Sequence, residues 1–230
     1  MDVFEAVDSR FACRWFLDRP VDQKIVRELL EKATRAPSNS NLQPWNIYAL
    51  AGPALDEVKR RAVAFVETND WHKLDTEFPI IPENLWEPYR ERHHRHGALL
   101  YGALGISRDN PAERFQQIRR NYQFFNAPVG LFITIERDMG LAQWADLGSV
   151  VSTLGFLARG YGLDTCPQIS WIKLHELVRE FLEFPAEQML YCGMGIGYRD
   201  ENWPANRIRS ERAGLNEICT FLGFDGHMQR

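Results

Sequence analysis

The sequence predicts an α+β fold built as a single domain over residues 1–230. Three observations lead there. Apolar, β-branched runs alternate along the chain with segments of helical period. No repeat, low-complexity tract or Pro/Gly/Ser-rich linker divides it. Its 230 residues are 45% hydrophobic and 25% charged, ordinary globular usage at a length that supports one large core.

The same arithmetic narrows the function classes. There are 27 Lys+Arg against 31 Asp+Glu, a formal net charge of -4. Non-specific nucleic-acid binding needs a basic face, so a nucleic-acid partner is not expected. The longest apolar stretch, residues 141–158, is broken by Gln143, Asp146, Ser149, Ser152 and Thr153. It falls short of the roughly 20 apolar residues of a membrane span, so no membrane partner is expected either. The start, MDVFEAVDSRFACRWF, carries acidic residues where a secretory leader would be basic. Cys13, Cys166, Cys192 and Cys219 form no Cys-x-x-Cys pair and make no disulfide scaffold. A reducing, cytoplasmic location is the expectation.

Each element has its own signal. A short apolar helix precedes Arg10. In VDQKIVRELLEKATRA (residues 21–36), Ile25, Val26, Leu29, Leu30 and Ala33 recur at helical spacing. Asp22 caps that helix, and Pro37 excludes helix at the residue before it. NIYAL (46–50) reads as a strand ended by the Gly52-Pro53 turn signal. Residues 54–66 place Leu55, Val58, Ala62 and Phe65 on one helical face. Residues 68–126 hold Trp71, Trp86, four of six histidines, and Pro79, Pro82, Pro88 and Pro111. This composition reads as an insertion of irregular structure with short helices. VGLFITI (129–135) is a buried strand. Residues 146–159 are apolar nearly all round, a helix buried on most faces, stopped by Gly160 and Gly162. A short helix follows at 174–182 and a buried strand at MLYCGMGIGY (189–198). Residues 200–230 form a C-terminal extension with a helix near 215–221.

Three features could carry chemistry. Arg10 and Arg14 at one end, and Arg207, Arg209 and Arg212 at the other, would make a phosphate cradle if the ends meet; apart, they are solvated arginines. APSNSNLQPW (36–45) packs Ser38, Asn39, Ser40, Asn41 and Gln43 between two prolines. Such a loop can present amides to a polar heterocycle or simply make turns. GLDTCPQIS (162–170) would turn at its proline and present backbone N–H groups to a ring. Cys166 within it is a nucleophile only with a partner base; His175 alone is near, and a buried inert thiol is the better reading. Two further motifs are set aside. GMGIGY (193–198) lacks the helix that must follow a dinucleotide loop. RHHRHG (92–97) fits no zinc spacing and reads as a charged helix face, so no metal is expected.

Taken together, RFACRWF (10–16), PV (20–21), APSNSNLQPW, GLDTCPQ and NRIRSERAGLNE (206–217) stand in one order over nearly the whole chain. This set resembles the FMN-dependent nitroreductase family. The TCPQ signature resembles its nitrobenzoate-reductase-like subgroup. APSNSNLQPW is the most specific piece, and the spacing from Arg212 through Leu215 to Glu217 supports it.

The resemblance implies a mixed, mainly antiparallel sheet flanked by helices, in an intertwined homodimer. Two FMN sites would lie at the subunit interface, each touching both chains. Within the motif Arg10, Phe11, Ala12 and Arg14, Arg10 would bind the FMN phosphate and Arg14 the ribityl and pyrimidine end. Pro37, Ser38, Asn39 and Asn41 match the loop given to the partner's flavin. Pro167, Gln168, Ile169 and Ser170 match the segment whose backbone faces the ring. Arg212, with Arg209, would complete the phosphate site, and Asn121 stands where the family often has a flavin-contacting Asn. The flavin supplies the redox chemistry, so no catalytic side chain is required. NADH or NADPH would pass hydride to flavin N5 and leave. A nitroaromatic or related small aromatic electron acceptor would then take its place, a ping-pong cycle.

Two departures stand out: Ala12 occupies a position where the family commonly has Ser, and residues 68–126 run longer than in compact members. Trp71, Trp86, Tyr89, Phe124 or Phe125 would form an apolar wall over the flavin, or else a satellite core under a long loop. Flavin destruction by oxygen, reductive dehalogenation, and flavin binding without turnover are the alternative activities on this scaffold.

Overall fold

The computed structural model describes residues 1–224; the last six residues of the C-terminal extension, 225–230, lie outside the described residues. Two apolar runs make the centre of the sheet, β2 (Val129–Glu136) and β4 (Gln188–Gly197). They pair antiparallel from Val129↔Ile196 to Glu136↔Gln188, with an irregularity between Ile133 and Thr134. β1 (Trp45–Ala51) flanks β2, and β3 (Asp164–Gln168) flanks β4, giving the order β1-β2-β4-β3. All three strand pairings are antiparallel. The parallel component of the expected mixed sheet is one bridge, Ala12 to Thr165.

The alternation of a strand sorts its side chains between two layers. Phe132 of β2 faces a core of Phe16, Leu55, Val58, Trp171 and Val178. Leu131, Ile133 and Ile135 face the other, with Leu29, Ala33, Leu147, Val150 and Leu154. The first layer is closed by α3 (Gly52–Thr68) and α7 (His175–Leu182), the second by α2 (Gln23–Ala33) and α6 (Leu141–Gly160). Each large apolar side chain so buried contributes roughly 1.5–3 kcal/mol. Asp22 caps α2 through Lys24 N–H, as its position predicts. No helix among the described residues is long and apolar enough to cross a membrane.

Three expectations need correction. The Gly52-Pro53 signal does not separate β1 from α3. Gly52, at φ +54°, turns the chain directly into the helix. Pro53 sits in the first turn, where its missing N–H costs nothing. GLDTCPQIS is not a turn but the edge strand β3 and a following 3₁₀ segment, Ile169–Leu174; an edge tolerates Pro167. Residues 68–126 contain two regular helices, α4 (Tyr89–Ala103) and α5 (Pro111–Asn121). Their prolines start the helices instead of breaking them, and Asn110 caps α5 through Glu113 N–H. α4 buries no residue, so the apolar period that betrays a helix is missing from it. Two short helices complete the chain, α1 (Val3–Ser9) and α8 (Leu215–Ile218), the latter shorter than expected.

Candidate functional site

The segment after α1 is threaded onto the β3 edge. Cys13 N–H donates to the Thr165 carbonyl at 3.0 Å, beside the Ala12–Thr165 bridge. The stem of Arg10 lies over α6 where Gly155 leaves room. A Cβ there would come within 3.1 Å of Arg10 Cδ. The Phe11 ring lies under the Arg209 guanidinium, 4.3 Å from its centroid. Asn206, buried, ties the two ends of the chain together. Its Oδ1 accepts from Arg14 N–H at 2.7 Å, and its Nδ2 donates to the Trp15 and Asp200 carbonyls.

The Arg14 side chain reaches His96 of α4, with Nη2 3.2 Å from His96 Nε2. A guanidinium can only donate, so Nε2 accepts and Nδ1–H faces Ser210 Oγ at 3.3 Å. Burial, followed by the Arg14 charge, holds His96 below the ordinary histidine value, in keeping with a neutral ring. A cavity of about 430 Å³ opens here, lined by Arg92, Arg95, His96, Arg209, Arg212 and Glu217 among others. Arg92 is paired with Glu217 and Arg95 with Glu211, each at 3.1 Å. Among the described residues, Arg209 and Arg212 donate only to nearby backbone carbonyls. Among the described residues, no carboxylate lies within salt-bridge distance of Arg10, Arg14, Arg209 or Arg212. Four arginines with no carboxylate in ion-pairing contact among the described residues, Arg209 sensing Asp164 only at longer range, are suited to an anionic ligand.

Arg14 also lies near β3, where its charge acts on Cys166, two residues before Gln168. Gln168 is 3% exposed. Its Nε2 donates to the Asn121 carbonyl at 2.6 Å, leaving Oε1 buried without a partner. Ser170 Oγ is likewise buried and unpartnered. Buried polar atoms are normally satisfied; Gln168 Oε1 and Ser170 Oγ, like Trp171 Nε1 beside them in the core, have no partner among the described residues and are free to bond a ligand. Pro167 is exposed beside them and Ile169 half-buried. Asn121 offers this region its carbonyl only, because its side chain turns back onto Gln117 and Ile118 of its own helix. Burial pushes the Cys166 thiol up to about 11, and His175 is spent on the Ile172 carbonyl. Cys166 is an inert core thiol.

The loop at residues 36–45 lies elsewhere. Asn39 N–H donates to both carboxylate oxygens of Asp146, at 3.0 and 3.1 Å. Asp146 sits on α6 nine residues before Gly155, about 13 Å away at 1.5 Å per residue. Ser40, Asn41 and Gln43 adopt left-handed backbone at φ +51°, +56° and +49°. Ser38 Oγ accepts from Gln43 N–H, and Gln43 Nε2 donates to the Asn41 carbonyl. Pro37, Asn39 and Asn41 are exposed. One chain therefore gathers Arg10, Phe11, Ala12, Arg14, Asn121, residues 167–170, Arg209 and Arg212, and leaves Pro37, Ser38, Asn39 and Asn41 apart.

The aromatic wall needs revision. Phe124 and Phe125 are core residues, 0% and 2% exposed, and cannot line an open pocket. Trp86 and Tyr89 stay exposed and pack edge-to-face at 5.5 Å. Three structural residues escaped the sequence reading: His96, Asn206 and Asp146. His96 had a signal, since Arg92, Arg95, His96 and Leu99 share a face at helical spacing. Asp146 stood as the lone acid in an apolar helix, and Asn206 opened the motif NRIRSERAGLNE without being given a role. No cluster of His, Cys, Asp and Glu among the described residues could hold a metal ion.

Comparison with known proteins agrees with this arrangement. The model of the nitroreductase family matches residues 7–198. The chain is 38% identical over 227 residues to the 4-nitrobenzoate reductase of Pseudomonas putida, covering 97% of each. It is 35% identical over 218 residues to the nitrobenzene nitroreductase of Ectopseudomonas oleovorans, covering 95% of this chain and 96% of that one. The crystal structure of the FMN- and NADPH-dependent nitroreductase NfnB of Sphigopyxis sp. strain HMH superposes with a TM-score of 0.93 at 38% identity, over 97% of this chain and 100% of that one. With its sheet order, its arginine-flanked β3 edge and a family match over most of its length, the chain belongs to the nitroreductase family.

Proposed function

We propose that the protein is an FMN-dependent oxidoreductase that uses NADPH or NADH to reduce nitroaromatic or related small aromatic acceptors. The observation that carries this is the pairing of four arginines that make no salt bridge among the described residues with the orphaned Gln168 Oε1 and Ser170 Oγ. A phosphate joined to a polar heterocycle presents the complementary groups. Bound FMN would supply the two-electron chemistry.

The chain's own residues bind and orient. Arg10, Arg209 and Arg212 take the phosphate. Arg14, fixed by Asn206 and His96, faces the ribityl and pyrimidine end. Gln168 Oε1 is an acceptor for the imide N–H of the pyrimidine. Ser170 and the backbone of residues 167–170 offer further hydrogen bonds, with Phe11, Ala12 and Ile169 as apolar packing. With Ala12 in place of Ser, this position contributes no side-chain hydrogen bond. Cationic groups at the pyrimidine end favour negative charge there, which assists reduction.

A homodimer completes the site. The loop of residues 37–41 is exposed, conformationally costly and fixed by Asp146, as suits a segment handed to a partner's flavin. The chain acts as one domain in which residues 68–126 border the acceptor pocket. Free Cys13, Cys166, Cys192 and Cys219 support a cytoplasmic location. The test is the visible spectrum of the purified protein, taken anaerobically. A flavin spectrum bleached by NADPH or NADH and restored by a nitroarene is expected; a flavin that neither nucleotide reduces would overturn the enzyme reading.

A further inference from the structure

Residues 121–124 run alongside residues 168–171 and touch them in matching order. The Asn121 carbonyl accepts from Gln168 Nε2 at 2.6 Å. The Tyr122 hydroxyl donates to the Ser170 carbonyl at 3.1 Å. The Phe124 ring stacks on Trp171, centroids 4.7 Å apart at 29°. Trp171 in turn lies against Gly193, where a Cβ would sit 2.9 Å from its Nε1. The chain bends sharply to make these contacts: Phe124, Phe125 and Asn126 all have left-handed φ. Such conformations persist only where the surroundings impose them.

The Tyr122 hydroxyl is the centre of this arrangement. Tyr122 is 0% exposed, and its oxygen accepts from Trp71 Nε1–H at 2.6 Å while donating to Ser170. Lys173 holds the Trp71 turn by donating to the carbonyls of Trp71 and Leu74. A hydrogen-bonded path therefore leads from residue 71, through Tyr122, to the segment bearing Gln168 Oε1 and Ser170 Oγ. Neither of those atoms has a partner among the described residues.

We infer that Tyr122, seated by Trp71, is a positioning residue that sets the ligand-facing segment 168–170 against the flavin ring. The inference rests on the flavin reading above. Without the hydroxyl, the Ser170 carbonyl and Trp71 Nε1–H both lose their partner, and residues 168–170 can shift. Misplacement of reacting groups by about 1 Å is enough to cost up to a hundredfold in rate.

The experiment uses full-length protein loaded with FMN. In Tyr122→Phe, the long-wavelength flavin band should shift and flavin reduction by NADPH should slow about tenfold. FMN affinity should change less than about threefold, since the phosphate arginines are untouched. Trp71→Phe should shift the band in the same direction. The double variant should be no worse than Tyr122→Phe alone, because Trp71 acts through that hydroxyl. If Tyr122→Phe does not fold, Trp71→Phe alone decides the matter by the same band shift. A lower melting temperature with unchanged spectrum and reduction rate would overturn the inference and leave the flavin reading intact. A wild type that binds no FMN would remove both.

Discussion

The β3 edge and the loop at residues 36–45 both carry motifs that the family resemblance assigns to flavin, yet within one chain they lie apart and are held very differently. The edge is held from every side: Ala12 and Cys13 along it, Asn121 and Tyr122 behind it, and Trp171 wedged against Gly193 beneath it. The loop is buried at its ends, at Ala36 and Pro44, is tied between them to a carboxylate on α6, and exposes Pro37, Asn39 and Asn41, which the family resemblance assigns to flavin. The first is positioned by tertiary packing within one chain. The second has a fixed shape, with Ser40, Asn41 and Gln43 in left-handed backbone.

That contrast gives predictions of graded size. The largest belongs to the packed edge. Gly193→Ala would drive a methyl into the buried Trp171 indole and should cost about 3 kcal/mol of stability, read as a lower urea midpoint with unchanged slope. Full stability would mean that Trp171 does not anchor the edge. Arg10→Ala should weaken FMN binding by about 1.5–3 kcal/mol, the scale of a charged hydrogen bond; fluorescence titration measures it, and an unchanged dissociation constant would remove Arg10 from the site. Asp146→Ala should leave the edge alone and release the loop, losing about 1.5 kcal/mol of charge-assisted anchoring at Asn39. Hydrogen exchange should rise at residues 38–43 and not at 164–170; a rise at both would erase the distinction.

The smallest effect is a pH dependence. His96 is held below its ordinary value of 6.5, burial being the main cause. As pH falls below 6.5 the unfolded chain takes up a proton at this position that the folded chain refuses. Stability should therefore decline from pH 6.5 down to the folded value of His96, and His96→Gln should flatten that slope. Urea midpoints between pH 5 and 7 provide the check, and equal slopes in both proteins would contradict it.

The sheet and most of its helices were legible because burial writes a pattern into sequence. VGLFITI alternates its faces between two cores, and α2 repeats Ile25, Leu29 and Ala33 toward one. α4 wrote no such pattern, since none of its residues is buried. Its proline at the start and its charged surface resemble a loop. β3 was masked by Pro167, which suits an edge but argues against a strand interior. The proposed site residues rest on motifs that are local in sequence, from residues 10–16 to residues 206–217. Asn206, which ties Arg14 to the far end of the chain, and Asp146, which fixes Asn39, act through contacts 192 and 107 residues apart in sequence. No local pattern announces such a partner.

The central claim is that the β3 edge of one chain and the 37–41 loop of another make one flavin site. It is tested most directly by mixing Arg10→Ala and Asp146→Ala chains and isolating the mixed dimer with two affinity tags. In that dimer one site combines both defects and the other has neither. The expected titration therefore shows one FMN bound with wild-type affinity per dimer, although each parent homodimer binds weakly at both sites. No tight site in the mixed dimer would place Arg10 and the loop on the same chain's flavin and contradict the account.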